Sequence, residues 1–244
     1  MDWFTGFLFV LSAVLLPSES FLRQQTGSVG ADARTAHVQD QTGVVAGKVE
    51  LRATSQVVRI ERGARYRSGS AAKTPQSPTE AMNERRSVVV YLEGENLKSL
   101  PPARDAKATI DQSNAMFVPH VLAIQKGTMV DFVNHDKIYH NVFSLSAPKK
   151  FNIGRRPTGQ AVPIQFDKPG VIQVFCDIHS QMTAFVLVLD SPFFVQPEDD
   201  GTFKIDHVPP GSYTLKVWHE RLSAPDQKIT ITAGATMKTN LVLE

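Results

Sequence analysis

Cysteine is almost absent from this chain: the 244 residues contain only Cys176. A single cysteine cannot form a disulfide within the chain, which excludes the class of small exported domains held together by disulfides. An excess of charge is absent too, because 26 Lys and Arg nearly balance 24 Asp and Glu, for a net charge of +2. That balance, with no basic cluster interleaved with aromatic residues, argues against a nucleic-acid-binding protein.

Long apolar runs are also scarce. The most apolar segment covers residues 3–16 and is followed by Pro17 and a small polar stretch. At fourteen residues it is shorter than the roughly 20 needed to cross a bilayer. It has the length of a signal-peptide core, although Asp2 precedes it and no Lys or Arg does. We predict that residues 1–20 are a signal peptide that exports the protein, to the periplasm or a comparable compartment. An uncleaved N-terminal anchor and a buried helix are the alternatives.

Recognisable catalytic motifs are missing as well. The sequence shows no nucleophile motif, no pair of carboxylates at a useful spacing and no glycine-rich phosphate-binding loop. Many enzymes can be recognised in a sequence by motifs of these kinds. We therefore expect a protein that is not an enzyme.

The most informative stretch present is residues 175–182, which read Phe-Cys-Asp-Ile-His-Ser-Gln-Met. It places a thiol, an imidazole and a thioether within seven residues, at Cys176, His179 and Met182. Blue-copper sites use two His and one Cys in a trigonal set with a weak axial Met. A second histidine is therefore required, and His140, at the edge of a strand-like run, is the natural candidate.

Ordinary structural roles are the alternative for each of these residues. A lone cysteine is most often a small buried hydrophobe, and methionine commonly fills cores. The combination of three soft donors in one loop favours metal binding over burial alone. His120 and His135 do not fit the ligand spacing; we expect His120 to be a satisfied strand histidine and His135 to be exposed.

The region 114–190, about a third of the chain, resembles the cupredoxins, in particular the plastocyanin and amicyanin group. The spacing of the Cys-x2-His-x2-Met loop is similar to that of amicyanin, a protein of the methylamine-utilisation type. The resemblance is carried by four segments: Ile124-Gln125-Lys126-Gly127-Thr128, Val130-Asp131-Phe132-Val133-Asn134, His140-Asn141-Val142-Phe143-Ser144, and 170–182.

This resemblance implies one type 1 copper ion bound by His140, Cys176, His179 and Met182. It further implies that Asn141 makes a hydrogen bond near the thiolate and ties the two ligand strands together. His179 would be the exposed edge through which the electron leaves. The predicted fold of this part is a Greek-key β-sandwich.

A second resemblance lies near the C-terminus. Residues 200–215, Asp-Gly-Thr-Phe-Lys-Ile-Asp-His-Val-Pro-Pro-Gly-Ser-Tyr-Thr-Leu, resemble the carboxypeptidase regulatory-like domain, a transthyretin-like β-sandwich. Its opening strands are similar to residues 45–51 and 88–94, which precede the copper region. We predict an all-β protein in which the copper domain is inserted into a sandwich formed by both ends of the chain. Two unrelated β pieces are the alternative.

The predicted organisation divides the chain into five parts. Apolar alternation and β-branched runs predict the strands, and Gly and Pro predict the turns. A connector is expected at 95–111, and residues 117–124 are expected to form one strand. The parts are a signal peptide at 1–20, a flexible lead-in at 21–42, the first strands of the regulatory-like sandwich at 43–100 with a disordered insertion at 62–87, the cupredoxin domain at 112–190, and the rest of the sandwich at 191–244.

The function predicted from these features is that of a single-electron carrier between periplasmic redox partner proteins. A copper chaperone or storage module is one alternative, because it would use the same soft ligands. A metal-free β-sandwich interaction protein is the other. The locally basic residues 149–158 could steer an acidic partner, although a solvated loop is the favoured interpretation.

Overall fold

The computed structural model describes residues 42–52 and 84–244, and within them nearly all regular structure is β. This confirms the predicted fold class. No helix in the described part of the chain is long and apolar enough to cross a membrane. A short helix is α1 (Glu95–Lys98), and the strands are β1 (Gly43–Leu51), β2 (Val89–Glu93), β3 (Lys107–Ser113), β4 (Met116–Val118), β5 (Val121–Gln125), β6 (Thr128–Asn134), β7 (Phe143–Ser144), β8 (Phe151–Asn152), β9 (Ala161–Phe166), β10 (Gly170–Phe175), β11 (Thr183–Leu189), β12 (Phe194–Val195), β13 (Thr202–Val208), β14 (Gly211–Trp218), β15 (Gln227–Ile231) and β16 (Thr236–Leu243).

Some of the predictions concern residues outside these ranges. The signal peptide at 1–20, the lead-in at 21–42 apart from Thr42, and most of the insertion at 62–87 are not among the described residues. They stay predictions.

Strands from both ends of the described chain form one sandwich, which we call the terminal sandwich (β1, β2 and β12–β16). Its sheets have the orders β13-β1-β16 and β12-β2-β14-β15. Strand β1 pairs antiparallel with β13 and parallel with β16, so the first described strand is held by two strands from the C-terminal region. Alternating side chains on these strands point inward. They build a core of apolar residues from both sheets, among them Val45, Leu92, Ile205, Leu215 and Leu241.

The strands between β2 and β12 form a second sandwich, the central sandwich (β3–β11). Its sheets have the orders β5-β11-β10-β7-β8 and β4-β3-β6-β9. Strand β6 alternates buried and half-buried residues along its whole length, as a strand with one face on a core does. The core between the sheets includes Ile110, Phe132, Phe166, Ile172 and Val186.

Two boundaries differ from the prediction. The connector expected at 95–111 contains α1, and β3 already begins at Lys107, where it pairs with β6. The single strand expected at 117–124 is two strands, β4 and β5, which belong to opposite sheets. Pro119 separates them, and because proline has no backbone N–H it cannot continue a ladder of hydrogen bonds.

Strand β11 packs on both of its faces, which explains its unbroken apolar sequence. Ala184, Val186 and Val188 belong to the core of the central sandwich. Their neighbours Leu187 and Leu189 belong to a separate apolar cluster that includes residues of the terminal sandwich such as Val89, Tyr91, Phe194 and Trp218. The strand that leaves the predicted metal loop is therefore the strand against which the terminal sandwich packs.

Candidate metal centre

Three of the predicted ligands converge at one end of the central sandwich. Nδ1 of His140 lies 3.1 Å from Nδ1 of His179. Sγ of Cys176 lies 4.0 Å from the first nitrogen and 3.9 Å from the second. Within the described residues, this is the one group of three or more His, Cys, Asp or Glu side chains whose ligand atoms are close enough to share a metal ion.

The loop between β10 and β11 holds two of these donors. The two strands pair in register up to Phe175 and Thr183, so the loop 176–182 closes a hairpin. The N–H of Cys176 donates to the carbonyl of Met182 at 3.3 Å, and the N–H of Met182 donates to the carbonyl of His179 at 2.9 Å. These bonds inside the loop set the positions of Cys176 and His179 relative to each other.

His140 comes from a different part of the sandwich, between β6 and β7. Its N–H donates to the carbonyl of Arg156 at 3.2 Å, and its own carbonyl accepts the N–H of Arg156 at 2.7 Å. Its side chain is completely buried, and its Nε2 lies 2.8 Å from Oδ2 of Asp136. Since a carboxylate accepts hydrogen bonds, Nε2 carries the ring proton and Nδ1 presents a lone pair to the other donors.

Asp136 was not singled out by the sequence analysis. Its carboxylate also accepts the N–H groups of Asn114 at 2.7 Å and Ala115 at 2.9 Å. Burial raises the pKa of Asp136, but the bonds from Ala115, His140 and Asn114 outweigh burial and hold that pKa below its usual value. The carboxylate is therefore ionised and fixed to the turn between β3 and β4. The one feature of the sequence that pointed to this role is the position of Asp136, four residues before His140 in the same loop.

The three donor separations can be tested against a bound ion. Bonds of about 2.0–2.1 Å to nitrogen and about 2.3 Å to sulfur, as in zinc sites, serve as the yardstick. Two donors that bind one ion lie no farther apart than the sum of their bond lengths, about 4.1 Å for two nitrogens and about 4.4 Å for a nitrogen and a sulfur. The separations of 3.1, 4.0 and 3.9 Å fall within these limits, so the three donors are close enough to bind one ion. Two imidazoles and one thiolate are the donor types of a blue-copper site.

Met182 and Asn141 are the two further residues that the resemblance assigns to the site. The side chain of Met182 is 1% exposed and lies in the same apolar cluster as Cys176. Its role as the weak fourth ligand stays a prediction. Asn141 is also buried, but its carboxamide oxygen has no hydrogen-bond partner among the described residues. The bond expected to tie the ligand strands together is therefore not made by this atom.

Exposure differs sharply between the two histidines of the centre. His140 is buried, whereas His179 is half-buried and follows the exposed Ile178. Ile138 and Tyr139, which precede His140, are 48% and 59% exposed. The centre thus reaches the surface on the His179 side, next to apolar side chains.

His120, His135 and His219 are not part of the centre. His135 is exposed, as expected, and its Nε2 lies 3.0 Å from Oδ1 of Asp111. His120 lies between β4 and β5 and contacts the terminal sandwich. His219, directly after β14, is 6% exposed, and its Nδ1 accepts the backbone N–H groups of Arg221 and Leu222.

Comparison with known proteins gives partial matches. The family model "Polysaccharide lyase family 4, domain II" matches residues 190–239, in the terminal sandwich. The same segment resembles the carboxypeptidase regulatory-like domain in sequence, and that assignment stays a prediction. No curated protein matches the chain.

Among solved structures, the chain is similar to a Cu-containing nitrite reductase from Thermus scotoductus SA-01, at 26% identity and a TM-score of 0.33 over 40% of this chain and 27% of that one. The chain thus spans about a quarter of the nitrite reductase. It is similar to a purple cupredoxin from Nitrosopumilus maritimus at 27% identity and a TM-score of 0.31, over 35% of this chain and 100% of that one. An amicyanin variant matches at 18% identity and a TM-score of 0.33, over 41% and 98%. All three TM-scores are low.

Proposed function

We propose that this protein is an exported blue-copper protein that carries single electrons between redox partner proteins. The observation that supports the proposal most directly is the convergence of Nδ1 of His140, Nδ1 of His179 and Sγ of Cys176 within 4.0 Å of one another. Soft thiolate and imidazole donors in this geometry suit copper. Export is proposed from the apolar segment 3–16 alone, since the structure does not describe these residues.

Copper held here would supply a one-electron couple. Cys176 would provide the thiolate, His140 and His179 the equatorial nitrogens, and Met182 the weak axial sulfur that tunes the potential. Four protein ligands leave no strong open position of the kind that catalytic metals keep. A carrier without enzyme activity therefore fits this donor set better than an enzyme does.

The surroundings favour fast electron exchange. The loop 176–182 is closed by its own backbone bonds between two paired strands, and His140 is fixed by Asp136 and Arg156. Donors held this firmly move little when the charge of the ion changes. His179, half-buried beside exposed apolar side chains, is the proposed point of electron exit toward a partner.

Visible absorption after addition of Cu(II) tests the proposal. We expect an intense charge-transfer band that a mild reductant bleaches and an oxidant restores. Cys176→Ser should lose the band, because the thiolate is its source. His135→Gln, which changes an exposed histidine outside the centre, should keep it.

Two other outcomes would reject the proposal in favour of its rivals. Copper bound tightly without the band would indicate a chaperone or storage module. No copper binding at all would indicate a β-sandwich whose role is interaction. A band that survives in Cys176→Ser would contradict the proposed ligand set.

A further inference from the structure

His120 connects the two sandwiches at a point next to the metal loop. Its Nδ1 lies 3.0 Å from the carbonyl oxygen of Thr183, the first residue of β11. Its Nε2 lies 3.1 Å from Oε2 of Glu220, in the turn after β14 of the terminal sandwich. One imidazole therefore bridges a strand of the central sandwich and a loop of the terminal one.

Both partners of this ring are hydrogen-bond acceptors. A backbone carbonyl can only accept, so Nδ1 of His120 carries a proton. The Glu220 carboxylate also accepts, and a hydrogen bond to a carboxylate is charge-assisted. The ring of His120 therefore lies between two acceptors, one on each sandwich. Arg221, whose Nε lies 3.7 Å from Oε1 of Glu220, is a further charged group beside that carboxylate.

The central end of the bridge lies directly after the metal loop in the chain. Thr183 follows Met182, whose backbone accepts the N–H of Cys176 and donates to His179. The carbonyl of His120 also accepts the N–H of Phe185 at 2.8 Å, and the two rings meet edge to face with centroids 5.6 Å apart. His120 therefore fixes the start of β11, the strand that anchors the Met182 end of the loop.

The other end is held by the terminal sandwich. Nδ1 of the buried His219 accepts the N–H groups of Arg221 at 3.3 Å and Leu222 at 3.1 Å, which shapes the turn that carries Glu220. The ring of Trp218 packs on Phe185 with centroids 5.3 Å apart. Glu220 thus reaches His120 from a turn with a defined backbone.

We propose that Glu220 and His120 are positioning residues through which the terminal sandwich sets the place of Met182 and so tunes the copper centre. The proposal rests on the function proposed above. An axial thioether is a weak, long contact whose effect on the potential depends on its distance. Small movements of residues 182 and 183 should therefore change the potential while His140, Cys176 and His179 still bind the ion.

Two variants of the full chain break the bridge without removing a metal ligand. Glu220→Gln removes the charge. His120→Phe keeps a ring against Phe185 but removes both ring nitrogens. Asp206→Asn is the matched control, since Asp206 forms an ion pair with Lys204 on β13 of the terminal sandwich.

Amide hydrogen exchange of the metal-free protein is the first measurement. We expect the amides of Cys176 and Met182 to exchange about tenfold faster in both bridge variants, the size expected when a charge-assisted hydrogen bond is lost. Asp206→Asn should match the wild type. Unchanged exchange in Glu220→Gln and His120→Phe would overturn the proposal, whether or not the protein binds copper.

The second measurement is the midpoint potential and the electron paramagnetic resonance spectrum of the copper-loaded variants. Both should shift in Glu220→Gln and His120→Phe and stay unchanged in Asp206→Asn. Equal potentials and spectra in all four proteins would overturn the tuning role. A wild type without a blue band would instead reject the proposed function, and with it the tuning role, while the exchange rates would still decide whether the bridge positions the loop.

Discussion

The two sandwiches of this protein share an architecture and differ in what they bury. The core of the terminal sandwich is apolar, and of the buried polar residues only Ser191 and His219 lie in the C-terminal region beyond β11. The central sandwich buries six: Gln112, Thr128, Asn134, His140, Asn141 and Ser144. Burial of polar groups costs free energy unless they are bonded. Thr128, Asn134, His140 and Ser144 have hydrogen-bond partners, whereas the side-chain oxygens of Gln112 and Asn141 have none among the described residues. We therefore expect the central sandwich to serve the metal centre and the terminal sandwich to serve packing.

Truncation of one core side chain in each sandwich should separate these roles. Leu215 and Ile172 are fully buried in the terminal and central cores, respectively. Either change to Ala should lower the free energy of unfolding by about 2–5 kcal/mol, through lost burial and a new cavity. Only Ile172→Ala should also weaken copper binding, because β10 delivers Cys176. Denaturant unfolding and copper titration measure the two effects. An equal loss of copper affinity in Leu215→Ala would contradict the division.

Acid should destabilise the protein through the one buried histidine of the terminal sandwich. Burial lowers the pKa of His219 from 6.5 to about 4. The unfolded chain therefore binds a proton below pH 6.5, while the folded chain stays neutral at His219 until about pH 4. The free energy of unfolding should fall across this window by up to roughly 3 kcal/mol.

Urea unfolding of the metal-free protein from pH 7 to pH 4 measures this loss. In His219→Gln the fall should be shallower, since residue 219 no longer titrates. Identical pH dependence in both proteins would show that other groups cause it.

A smaller effect is expected from the carboxylate behind His140. Asp136→Asn removes the charge that orients the ring, and such outer partners of metal ligands typically contribute 10–100-fold in affinity, so we expect a loss of about that size. Asp111→Asn is the matched control, because Asp111 pairs with the exposed His135 away from the centre. Competition titrations with a copper chelator compare the variants. Equal affinities would show that Asp136 holds only the turn at Asn114.

Local sequence patterns predicted much of the fold. Alternation marked β1, β13 and β14, and the unbroken apolar run marked β11, because side chains alternate across a strand and a strand covered on both faces has no polar side. The split of 117–124 into β4 and β5 was missed, although Pro119 was visible as a residue that cannot extend a ladder. The apolar residues on both sides of it favoured a single strand.

The sequence by itself determined which donors are available to this protein. Cys176, His179 and Met182 share one loop of seven residues, and chain connectivity alone keeps them near one another. Only the tertiary structure decided what joins them from afar. His140 reaches Cys176 across 36 residues, and Glu220 reaches His120 across 100. Contacts of that range depend on how sheets pair and pack, so residue spacing gives neither the distances among the three donors nor the bridge behind them.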